Sequence, residues 1–191
     1  MQTNFHKLKK EFVIKKVADA NQFIDNVLNN YATLEHCRDI ILALTTEYDR
    51  RVLEQQSKIN SDLNKKGEAS ITLLDDSFEI LGLKTSLAFL ISKNIKDIIQ
   101  YANNILDSLA QVVNSALIYP QFSKDKVDFG FLYSNKKNRL QSLTTTRNVE
   151  QVFANISSSQ QFSYLRKSNN RIKHIMDIPT SIGYKLFDES I

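Results

Sequence analysis

Residues 91–117, ISKNIKDIIQYANNILDSLAQVVNSAL, carry the most regular periodicity in the chain. Ile91, Ile95, Ile98, Ala102, Ile105, Leu109, Val112 and Ala116 recur at alternating intervals of four and three, the spacing of one face of an α-helix. Ile99, Leu106, Val113 and Leu117 widen that stripe beyond a coiled-coil seam, so the helix faces a bundle core. Its other side carries Asn103, Asn104, Asp107, Ser108, Gln111 and Asn114, which are polar but nearly uncharged. Amides in place of Lys and Glu indicate contact with another polar surface.

Helical spacing extends outward in both directions. Phe5–Asn30 and Tyr31–Leu63 repeat near the helical period, with Asn29-Asn30 as the expected break between them. Asn64–Ser70 reads as a loop punctuated by Gly67. Ser70 is placed to cap a helix running through Leu73, Leu74, Phe78, Leu81 and Leu83. Asp75-Asp76 would then suit its first turn, a capping role and not a metal site. Beyond Tyr119-Pro120, Gln121–Leu143 is an irregular connection anchored by Phe122, Phe129, Phe131, Leu132 and Tyr133. Thr144–Thr146 offer caps for a helix from Arg147 to Ile156, and Ser157–Ser159 break it and cap the next.

Composition agrees. The 191 residues include 4 Gly and 2 Pro, against an average expectation of about thirteen and ten. A many-stranded protein needs turn residues far more often. The fold class expected is therefore all-α, an antiparallel bundle of about four to six helices, and no β-strand competes for any stretch. A single domain is expected over 1–191: an N-terminal helix to residue 30, the bundle over 31–177, and a tail over 178–191. One cysteine, Cys37, excludes an internal disulfide, and no Cys/His cluster has zinc spacing. The basic N-terminus lacks the apolar core of a secretory signal, and no apolar run reaches membrane length. A cytoplasmic protein without membrane attachment is expected.

Charge is unevenly spread. From Asn135 to His174, eight Lys/Arg face the single acid Glu150, whereas the middle of the chain is acidic. Such a block suits a polyanionic partner or a solvated basic face. Its C-terminal part, QQFSYLRKSNNRIKHIMD over residues 160–177, reads as a helix whose Arg166, Asn170 and His174 form one ladder at intervals of four. Lys167, Arg171 and Lys173 flank the ladder, and Phe162, Leu165, Ile172 and Ile175 face elsewhere.

Within it, Ser168-Asn169-Asn170-Arg171-Ile172-Lys173-His174 resembles the N-x-x-K-H signature of HEPN-like domains. The stretch Ile98–Asn114 is similar to the long core helix of such domains, and the resemblance spans roughly Leu34 to Asp177, though its sharp part is the seven-residue run. It implies a helical domain of prokaryotic defence or toxin type that cuts RNA without metal or cofactor. The implied assembly is a homodimer with a composite cleft, with a cognate regulatory protein as a further partner. Catalytic members place His and Arg four to six residues apart. Here Arg166 precedes His174 by eight and Arg171 by three, and the position four before is Asn170.

The chemistry suits those residue types. RNA cleavage through the 2′-OH needs proton transfer and stabilisation of charge on the phosphorus oxygens. Imidazole, with an unperturbed pKa of about 6.5, serves the first in His174. A guanidinium at Arg166 serves the second, and Asn170 can donate to phosphate or orient the ring. Lys167, Arg171 and Lys173 would hold RNA non-specifically. By the same resemblance the Ile98–Asn114 helix lies alongside the motif helix, so Asp107 would support a motif side chain. Two functions stand at this level: a HEPN-type endoribonuclease, or a non-catalytic helical module binding nucleic acid, nucleotide or a partner protein on the same face. Phosphate-binding Gly loops, dinucleotide fingerprints, HExxH and Gly-flanked serine motifs are absent.

Overall fold

The periodic segment forms helix α3, Leu87–Leu117. Ser86 caps it, its hydroxyl accepting from the Phe89 N–H at 3.2 Å. The computed structural model describes residues 2–15, 17–68, 77–80, 82–119, 121–134, 137–140 and 147–175. Before α3 come α1 (Gln2–Ile14), α2 (Ala18–Lys66) and the antiparallel strands β1 (Ser77–Ile80) and β2 (Leu83–Ser86). After it come a 3-10 turn at Lys124–Lys126 and α4 (Phe129–Leu132). A two-residue hairpin follows, β3 (Tyr133–Ser134) with β4 (Lys137–Asn138). The last helices are α5 (Arg147–Ser158) and α6 (Gln160–Ile175). The fold is all-α, as its periodicity requires.

Three local expectations are corrected. The helix does not break at Asn29-Asn30. The Asn30 amide donates to the Asn26 carbonyl at 2.7 Å and Thr33 to Asn29 at 2.9 Å, so these polar side chains bond back along the helix instead of ending it. The break falls at residues 15–17, where Val17 N–H closes on the Phe12 carbonyl. It lets Phe12 meet Ala20, Ile24 and Val112 in one cluster.

The second correction concerns Phe78 and Leu83, which lie in the antiparallel strands of a β-hairpin and not in a helix. Gly82 adopts φ +78°, a left-handed conformation that turns the chain where a helix would continue. The third is that strands exist at all: both hairpins were unexpected. The proposed roles of Ser70, Asp75-Asp76 and Thr144–Thr146, and the tail over 178–191, lie outside the described residues.

The described chain packs as two compact units. One comprises His36–Asp97. There Leu87, Ile91 and Cys37 are buried, and Arg51 fastens the hairpin to α2, donating to the Ser77 carbonyl at 2.9 Å with its guanidinium 4.3 Å from the Phe78 ring centre. The other unit takes residues up to Glu35 and from Ile98 onward. Its main core joins Ala110, Val113 and Ile118 to Val127, Phe129, Leu132, Leu140 and Phe153. Phe129 stacks on Phe153 at 4.6 Å between ring centres and meets Phe162 of α6 at 5.1 Å.

Candidate functional site

The amide side of α3 builds the site by holding its own chain. Asn114, fully buried, donates to the Phe122 carbonyl and accepts from the Phe122 N–H, both at 2.9 Å. Gln111 Nε2 donates to the carbonyls of Lys124 and Val127 at 2.7 and 2.6 Å. Asp107 Oδ1 accepts from the Phe129 N–H at 3.1 Å, and its other oxygen from Asn103 Nδ2 at 2.9 Å. The other polar surface expected opposite this face is thus the chain's own connection. Segment 121–129 has few ladder bonds of its own, so its backbone groups are satisfied by one helix face.

That clamp delivers α4 to α6. Asp128 caps α4, accepting from the Phe131 N–H at 2.6 Å, while Asp107 takes the neighbouring Phe129 N–H. The turn presents Gly130 to Arg166: a Cβ there would sit 3.5 Å from Arg166 Nη2 and 3.4 Å from Asp128 Oδ1. The β3–β4 corner is pinned by Arg139, whose guanidinium lies 3.8 Å from the Phe131 ring centre and donates to the Phe131 carbonyl. Glu150, the one acid of the basic block, accepts from the Asn138 amide at 2.6 Å.

Helix α6 begins at Ser159, whose hydroxyl accepts from the Phe162 N–H at 3.1 Å, so the serine run breaks and caps as expected. Phe162, Ser168 and Asn169 turn inward; the last two are buried. Arg166, Lys167 and Asn170 line one groove of 410 Å³, together with Ser163, Phe162, Ser157, Gly130, Tyr133 and Ser134. Among the described residues no carboxylate lines it.

The structure thus brings Arg166, Lys167 and Asn170 together, while Arg171 and Lys173, both exposed, lie outside the groove's lining. His174 stands in the last turn of α6, with its side chain outside the described residues. Asp107 is half-buried, and burial raises its pKa; the Phe129 N–H pulls the other way, Asp128 raises it further, and Arg166 and Lys173 oppose. It meets the motif helix through charge, and its hydrogen bonds go to Asn103 and Phe129.

Sequence reasoning missed Tyr133, Ser134, Ser157 and Ser163 as groove residues. Ser163 precedes Arg166 by three, a spacing that puts both on one helix face. Nothing local links Tyr133 to Arg166; the α3 clamp does.

The four cations of α6, Arg166, Lys167, Arg171 and Lys173, form no ion pair among the described residues. Several cations elsewhere are paired: Arg50 and Arg51 with Glu47 at 2.8 and 2.9 Å, Lys93 with Asp97 at 2.6 Å, Lys124 with Asp19 at 2.6 Å. No cluster of three or more metal-ligating side chains occurs among the described residues, and no helix there is long and apolar enough to cross a membrane. Comparison with protein-family models, with curated proteins and with solved structures returns no match to this chain.

Proposed function

We propose that the protein binds RNA by its phosphate backbone along the cationic face of α6. One observation carries this reading: Arg166, Lys167 and Asn170 converge on a single groove that no carboxylate lines among the described residues. A guanidinium supplies paired donors to phosphate oxygens, and an ammonium and an amide extend the same contact. Unpaired surface cations are the ordinary source of backbone affinity.

Binding is preferred to cleavage on geometry. Arg166 precedes His174 by eight positions, about 12 Å along the helix axis. A HEPN-type endoribonuclease therefore needs a long side chain or a second protomer to close that gap.

Fluorescence anisotropy with labelled single-stranded RNA tests the reading. Binding should weaken steeply with salt, and Arg166→Ala and Lys167→Ala should each lower the log–log salt slope by about 1. RNA that stays unbound at low salt defeats the proposal. The same mixtures, held in EDTA, read strand scission. Intact RNA identifies a binding module, whereas cleavage abolished by His174→Ala identifies the endoribonuclease.

A further inference from the structure

A second pocket, of 300 Å³, opens between the first turns of α2 and the middle of α3. Its polar wall is made by Asn26, Asn30, Asn104, Ser108 and Gln111, with Phe23 and Val127 as apolar lining. Among the described residues no cation lines it, and Asp107 does. The volume is at the small end of ligand sites, which run from about 300 to 1,000 Å³.

Its wall has hydrogen-bonding capacity that the fold does not use. The side chains of Asn26, Asn104 and Ser108 have no hydrogen-bond partner among the described residues. Gln111 spends its amide N–H groups on the connection, which leaves its buried Oε1 without a partner. Buried polar groups are normally satisfied, and here Gln111 Oε1 is the buried orphan, beside half-buried Asn104 and Ser108 and exposed Asn26; a concave wall of this kind is suited to a ligand that satisfies them. Carboxamides present a donor and an acceptor side by side, the pattern that reads the edge of a nucleobase. An aromatic side chain such as Phe23 gives an unstacked base an apolar surface. A phosphate is disfavoured here, because the Asp107 carboxylate in the lining would repel it.

Asp107 also joins this pocket to the cationic face. It lines the pocket, and its Oδ1 accepts from the N–H of Phe129, the residue before the Gly130 that faces Arg166. We infer that the Asn26–Asn104–Ser108 pocket receives one unpaired nucleobase of the RNA whose phosphates α6 holds; the inference rests on the RNA-binding reading above. The pocket then sets base preference and α6 sets overall affinity.

The test uses the full chain and two kinds of probe: homopolymeric adenylate, uridylate and cytidylate oligoribonucleotides of equal length, and the free nucleosides. Wild type should favour one homopolymer by ~10-fold or more. The double variant Asn26→Ala/Asn104→Ala should lose that preference with its salt slope unchanged. Neither side chain holds another part of the fold, and an unchanged melting profile confirms it. Arg166→Ala should weaken all three homopolymers equally. RNA bound without preference, or a preference that survives the double variant, overturns the inference. If no RNA binds but one nucleoside saturates wild type and not the double variant, the pocket stands and the proposed function falls. If neither RNA nor nucleoside binds, both fall.

Discussion

Replacing Asn114 by alanine should destabilise the protein by about 2–4 kcal/mol. The side chain is fully buried and makes two hydrogen bonds of 2.9 Å to the backbone of Phe122. Each such bond contributes about 0.5–1.5 kcal/mol net, and each buried partner left unsatisfied costs about 1–3 kcal/mol. The orphan cost replaces the bond's net worth, so two orphaned groups, at the lower half of that range because water reaches half-buried Phe122, give about 2–4 kcal/mol. Asn114→Asp separates the two contributions. It keeps an acceptor for the Phe122 N–H, loses the donor to the carbonyl, and buries a charge without a cation beside it. Burial raises that new carboxyl's pKa in the folded state, so the variant should regain stability as pH falls. Urea denaturation followed by circular dichroism gives the free energies, and hydrogen exchange at the Phe122 N–H reports the local release. Because the connection carries Phe129 and Gly130 to Arg166, the alanine variant should also bind RNA more weakly. A loss below about 1 kcal/mol, with Phe122 still protected, would refute the clamp.

Three further outcomes follow from the same packing. Phe153→Ala removes a buried ring stacked 4.6 Å from Phe129 and should cost about 3–5 kcal/mol by urea denaturation, a cost near that of a surface change placing the stack outside the core. Gly82→Ala forces a Cβ onto a residue at φ +78° and should destabilise the β1–β2 hairpin by about 1–2 kcal/mol, since nothing within 4 Å obstructs it and backbone strain alone acts; an unchanged hairpin in hydrogen exchange would contradict this. Asp107→Asn keeps an acceptor for the Phe129 N–H but cannot ionise. Burial raises the Asp107 pKa in the folded state, so its favourable contribution is complete below the ordinary carboxylate range and is lost as pH rises through the folded value. The asparagine variant should therefore gain on wild type as pH rises from below the ordinary carboxylate range to neutrality in paired denaturation curves, and a difference that is flat or reversed would refute the burial effect.

Much of this architecture was legible in the chain. The alternating fours and threes from Ile91 to Ala116 demand a helix whatever surrounds it, because an apolar stripe at that period fits no strand. Ser157–Ser159 marked the start of α6, since a serine hydroxyl satisfies the N–H groups that a helix start leaves unbonded. Local signals misled where one residue outweighed its neighbours: a single left-handed glycine at 82 overrode the apolar spacing of Phe78 and Leu83, and i−4 back-bonding carried α2 through Asn29-Asn30.

The site was legible only in part. Arg166, Lys167 and Asn170 lie within five residues on one helix, and periodicity alone puts them on neighbouring faces. Tyr133, Ser134 and Gly130 reach them only because Asn114, Gln111 and Asp107 hold the intervening connection by its backbone. Residue types and local spacing determine helices and the side chains each presents. Which distant backbone a buried amide satisfies depends on the folded partner brought to it, and that was decided by tertiary structure.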